Sequence, residues 1–267
     1  MAAATESVVH PDEVEPRREG SAEVRTTFDD RNGCKRLEQR IVHHAAGRTE
    51  IPARDGTQDV MYVVTGRGRL ELRGEQHPLE PGMGVFIPAG EAYVVEVEEP
   101  FELLSVLSEG SGGEARKVTV RFEDQPELEA SEERSFRYLI NEEAGCEDVT
   151  QFLGIVQPSK APFHSHPYDE VGYIVSGEGI AHIEGREMPL RAGSCFHLAP
   201  GEIHCIENSG PGEMRILGVF HPSGSPANRS YHDNNRVYAE CAEHGCAAII
   251  PLRRGQPERK LSSALSR

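Results

Sequence analysis

The chain has 267 residues, with 28 Lys and Arg against 44 Asp and Glu and a formal net charge of −16. That balance excludes a general nucleic-acid binder, which needs a basic face against phosphate, and no apolar run is long enough for a membrane-spanning helix. Hydrophobic residues make up 37%, while 27 Gly and 18 Pro punctuate the chain as densely as a protein of many short strands requires.

In chain order, residues 1–29 read as a disordered acidic arm, with six acids and three bases in the first 25. The arm lacks a basic start followed by an apolar run, so a cytoplasmic protein with reduced thiols is expected. Strand-like segments fill 30–108. An acidic linker follows at 109–134, carrying one strand at 117–122 (KVTVRF) in which Val118, Val120 and Phe122 alternate. A second strand-rich segment covers 135–222, and an irregular tail covers 223–267.

The two strand-rich segments are copies of one another. Displaced by 111 positions, residues 59–97 lie over 170–208 without a gap, and twelve of 39 positions are identical. The identities include Tyr62 with Tyr173, Gly66 with Gly177 and Gly68 with Gly179. Each copy runs from an apolar strand through a Gly-x-Gly turn to an alternating strand, then through further Gly and Pro turns, which predicts an all-β barrel or sandwich. No helical pattern follows the Gly-x-Gly turns, so they are not a nucleotide fingerprint.

Chemistry concentrates in the second copy. His164 and His166 are two apart and face the same side of a strand; Glu170 begins the next strand and His204 lies on a later one. Three imidazoles and a carboxylate suit Mn, Fe, Co, Ni, Cu or Zn, and on a six-coordinate ion they leave two positions for substrate, water or dioxygen. In the first copy the same positions hold Ala53, Asp55, Asp59 and Tyr93, so that copy is expected to be metal-free.

HSHPYDE with Gly177, and PGEIHCIEN ending in His204 and Asn208, match the two cupin motifs, and the chain resembles a bicupin. The resemblance implies two tandem jelly-roll barrels, a metal held by His164, His166, Glu170 and His204 with Fe2+ or Mn2+ foremost, a small-molecule substrate and homodimerisation. A dioxygenase-type oxidoreductase is the leading expectation, and Glu170, where it is not a tight ligand, is the first candidate for a general base. Isomerase, epimerase and decarboxylase chemistry are alternatives, as is a metabolite-binding module without turnover. Ureidoglycine aminohydrolases also pair a silent first barrel with a metal-bearing second, but they arrange their ligand types differently. Oxalate decarboxylase-like proteins share this ligand order but usually hold metal in both barrels.

Other residues have plainer readings. His43 and His44 point to opposite faces and are expected at the surface or an edge. His182 and His197 are equally open to packing and to proton-shuttle roles. Tyr168 can bind substrate through its phenol, whereas Tyr173 reads as framework because Tyr62 matches it. Cys195 and Cys205 read as packed thiols. His232, Cys241, His244 and Cys246 match no strong zinc pattern.

Overall fold

The computed structural model describes residues 6–232 and is all-β, built as two jelly-roll barrels in tandem. Each barrel combines one seven-stranded sheet with a smaller one. In the first, Thr57–Thr65 lies between Met83–Ile87 and Phe101–Glu109, and the opposing sheet is centred on Tyr93–Val97. In the second, Asp169–Ser176 lies between Cys195–Leu198 and Met214–His221, opposite a sheet that contains Glu178–Ile183 and His204–Asn208.

The large sheets are buried on both faces because the two barrels pack against each other. Val60 and Tyr62 from one barrel join Val171 and Tyr173 from the other in a single core cluster, while Met61 and Val63 belong to the interior of the first barrel and Ile174 to that of the second. Strand alternation makes this assignment. Two hydrogen bonds cross the interface reciprocally: Gln39 Nε2 donates to the Gly172 carbonyl at 3.1 Å, and Gln151 Nε2 donates to the Met61 carbonyl at 3.2 Å. Met61 and Gly172 are equivalent in the repeat, so the barrels are related by an approximate twofold.

Edge strands are also exchanged. Val8–Val9 precedes the first barrel yet pairs with Phe196 and Cys195 of the second, and Thr119–Arg121 precedes the second yet pairs with Val85, Gly84 and Met83 of the first. Both pairings keep the 111-residue offset. The stretch expected as an arm is therefore folded from residue 6 on: after Val8–Val9 it adds Arg17–Glu19 and Ala22–Phe28, burying Ala22, Val24 and Phe28. The stretch expected as a linker likewise supplies two strands where one was foreseen, Thr119–Arg121 and Leu128–Ser131, the latter joined to the second barrel's large sheet. Such short strands carry too few apolar residues to signal folding alone; their partners lie far away in sequence.

The Gly-x-Gly turns have a steric cause. Gly66 and Gly177 adopt left-handed φ of 83° and 90°, where a side chain is strained. A Cβ at Gly179 would lie 2.1 Å from the Glu207 carbonyl oxygen, and one at Gly68 would lie 2.7 Å from that of Glu96. The turns bring neighbouring backbones into contact and set the curvature of each barrel.

Candidate metal centre

His164 and His204 are directly opposed across two antiparallel strands, which brings their ring centroids to 4.5 Å. His166 follows two positions on and lies 5.1 Å from His164 and 5.5 Å from His204. Each offers a ring nitrogen within 4.8 Å of the others, and all three residues are buried. Every Nδ1 is committed to a main-chain carbonyl: His164 to Pro162 at 3.0 Å, His166 to Asn228 at 2.8 Å and His204 to Glu202 at 2.9 Å. A carbonyl only accepts, so each Nδ1 carries the proton and each Nε2 keeps its lone pair, the tautomer that leaves Nε2 free to bind a metal. Burial holds these rings neutral, His164 down to about 2 with the His204 charge adding to it, and His204 down to about 3; burial lowers His166 as well.

Glu170 lines the same cavity of about 80 Å³ but lies outside the close imidazole group. Alternation explains the position: Glu170 faces the barrel interior, while its neighbour Asp169 faces the other barrel. Glu170 Oε2 is buried without a hydrogen-bond partner, and burial raises the carboxyl to about 8. An orphaned carboxylate oxygen beside three imidazoles with free lone pairs fits a divalent cation, because that charge offsets the cost of burying the anion.

Residues after 222 return to the cavity and supply part of its lining through Pro226 and Arg229. Arg229 lines the cavity, and its positive charge acts on Glu170. Ser230–Tyr231 pairs with His164–Ser165. Tyr168 stacks on His166 and accepts a hydrogen bond from Asn228 Nδ2 at 2.8 Å. His232 binds Ser165 through Nε2 at 3.0 Å, whereas Cys241, His244 and Cys246 lie outside the described residues. No metal- or substrate-binding motif in the sequence marks Arg229, which stands 59 positions beyond Glu170 inside the formal glycosylation sequon Asn228-Arg229-Ser230.

The remaining candidates take other places. His182 is buried against Glu207 at 2.7 Å, and His197 is buried against Asp169 at 2.6 Å; neither lines the cavity. Tyr62 and Tyr173 belong to the core between the barrels. Asn208 braces a turn, donating to the Val156 and Gly212 carbonyls at 2.8 Å each. The four described cysteines, Cys34, Cys146, Cys195 and Cys205, are buried free thiols. His43 is partly exposed beside Glu102, but His44 corrects the expectation of a surface or edge residue: it is 4% exposed and lines a cavity inside the first barrel. The two histidines do point to opposite faces, and that of His44 is the interior.

Comparison with known proteins gives the family. The cupin domain model matches residues 40–107 and 152–220, one segment in each barrel. The chain belongs to the cupin family. The oxalate-binding protein of Thermotoga maritima is 29% identical over 118 residues, 43% of this chain and 98% of that one. A solved structure of oxalate decarboxylase superposes with a TM-score of 0.71 at 14% identity, covering 90% of this chain and 85% of that one. A structure of the Bacillus subtilis enzyme, studied for its Mn(II) centres, superposes with a TM-score of 0.69 at 14% identity and the same coverage. At that identity the likeness to the decarboxylases is one of bicupin fold.

Proposed function

We propose that the second barrel is a metal-dependent active centre for a small carboxylate, with His164, His166, His204 and Glu170 holding Fe2+ or Mn2+. The observation that carries this reading is the set of three imidazoles whose Nδ1 protons are all committed to carbonyls, beside the unpartnered Glu170 Oε2. When bound, such an ion supplies positive charge to chelate substrate oxygens and the redox capacity to engage dioxygen.

The protein's own groups set the rest. Arg229 supplies the guanidinium that orients a substrate carboxylate. Phe152, Phe196, Leu198 and Phe220 line the small cavity and exclude water, which strengthens every charge interaction inside. Apart from Glu170, the titratable lining residues are the three imidazoles, Arg134 and Arg229. A ligating Glu170 therefore leaves no free acid or base among the described lining residues. This favours dioxygenase-type oxidation, in which dioxygen is the co-reactant, over reactions that need a protein proton donor.

Decarboxylation is the second reading. It requires a proton at the carbon that loses carbon dioxide, and the raised Glu170 carboxyl is the one group suited to hold it; the fold neighbours are decarboxylases. The test is an aerobic assay of Fe2+- and Mn2+-loaded protein against oxalate, glycolate, glyoxylate and malonate, following dioxygen uptake and carbon dioxide release. Dioxygen uptake that disappears in His164→Ala supports the first reading. Carbon dioxide release without net dioxygen uptake, lost in Glu170→Gln with metal retained, supports the second. Saturable oxalate binding with neither product makes the barrel a binding module.

A further inference from the structure

The first barrel lacks the imidazoles yet keeps a polar interior. Strand register, anchored on the equivalent pairs Tyr62 with Leu104 and Tyr173 with Leu217, places Arg40 where the second barrel has Phe152, His44 where it has Val156, and Ser105 where it has Gly218. Phe152 and Val156 belong to the apolar wall beside the candidate metal centre. Arg40, His44 and Ser105 instead line a cavity of about 250 Å³ whose remaining wall includes Val42, Met61 and Leu103.

Arg40 is 5% exposed, and a buried guanidinium needs partners for its five N–H groups. Among the described residues its hydrogen bond is the one from Nη2 to Ser105 Oγ at 2.8 Å. The carboxylate oxygens of Asp59 and Glu19 each stand 3.5 Å off, and Nε has no partner. Asp59 is occupied elsewhere, accepting from Ser105 Oγ at 2.8 Å and from the Tyr93 hydroxyl at 3.1 Å. His44 Nδ1 is a second buried atom without a partner. At the mouth the Glu19 carboxylate lies between Arg40 Nη1 and Arg54 Nη2, the latter at 3.3 Å, so one carboxylate of the chain already rests between these two cations.

We propose that the first barrel is a second ligand site, metal-independent, that binds a short-chain carboxylate with its anionic end on Arg40 and His44 and its apolar end on Val42, Met61 and Leu103. A carboxylate accepts from a guanidinium fork in a charge-assisted pair and supplies the acceptors that Arg40 lacks. The cavity lies below the usual pocket range of about 300–1,000 Å³, which limits the ligand to a few carbons. The two barrels then divide their work: one offers a metal centre, the other a charged organic pocket at the same places in the fold.

The test is calorimetric titration of the full-length protein with butyrate, with butanol as the uncharged control. Arg40→Met combined with Asp59→Asn removes both buried charges, so neither is left unpaired; His44→Phe is the second variant. Saturable binding of one butyrate per chain that Arg229→Leu leaves intact is expected, because carboxylate affinity in the second barrel depends on Arg229. It should weaken at least tenfold in both variants and persist in His164→Ala, with metal content of the second barrel unchanged in the Arg40 and His44 variants. Absence of saturable butyrate binding overturns the proposal, as does binding that survives in the His44 variant or disappears in His164→Ala or Arg229→Leu. Where the double variant fails to fold, the His44 variant decides.

Discussion

His166 donates from Nδ1 to the main-chain carbonyl of Asn228 at 2.8 Å, so a ring of the second barrel is aimed by a segment 62 positions further along. Asn228 is fixed in turn through its side chain, which donates to the Tyr168 hydroxyl, and the Tyr168 ring stacks on His166. The three residues form a closed loop of contacts around one imidazole.

That loop predicts the behaviour of Tyr168→Phe. The ring stack survives and the anchor of Asn228 is lost, leaving the fold intact but the His166 ring less constrained. Outer partners of metal ligands are worth about 10–100-fold in affinity; a weakening of about tenfold is expected here because the Asn228 carbonyl remains. Competition against a chelator of known affinity measures it.

Arg229 separates substrate binding from metal binding. Arg229→Leu removes the guanidinium that lines the cavity and none of the nitrogens or oxygens assigned to the ion. Hydrogen bonds to charged groups contribute about 1.5–3 kcal/mol, so carboxylate affinity should fall roughly tenfold to a hundredfold while metal per chain stays constant. Titration of oxalate into the metal-loaded variant, with parallel metal analysis, checks both halves.

Buried groups give the metal-free protein a defined pH response. Burial, with the His204 charge, lowers His164 to about 2; burial lowers His204 to about 3; burial, with the His43 charge, lowers His44 to about 4. The unfolded chain binds their protons from about pH 6.5 downward while the folded chain does not, so their contribution to stability is complete above that value and declines as pH falls. Glu170 acts in reverse. Raised by burial to about 8, it contributes fully below its ordinary value near 4.5, and that contribution disappears as pH rises through about 8. Between 4.5 and 6.5 three imidazoles outweigh one carboxyl, and above 6.5 Glu170 acts without them. From these groups, the thermal midpoint of chelator-treated protein should peak near pH 6.5, and Mn2+ should abolish the alkaline decline. Melting curves from pH 4 to 9, with and without Mn2+, measure both limbs.

Much of this was legible in the sequence because the information is local or periodic. The 111-residue offset carries the strand order of both barrels, and His164 with His166 declares a shared face through a spacing of two. Other features depend on partners that no local pattern names. Val8–Val9 is too short to read as a strand until Cys195 and Phe196 are known to lie beside it. Adjacent positions told that His43 and His44 face apart, but not which faced inward. Arg229 reaches the site because the chain after residue 222 returns across His164 and His166, a contact that no local pattern encodes. His197 and Asp169 form a buried pair between the barrels that lies 28 positions apart in sequence and has no motif.

The proposed centre requires one divalent ion per chain, held in the second barrel alone. Metal analysis of protein reconstituted with Mn2+ or Fe2+ and freed of unbound ion tests it most directly, comparing wild type with His164→Ala and His204→Ala. The wild type should hold one ion per chain and either variant almost none. Two ions per chain in the wild type, or one ion retained in both variants, would contradict it.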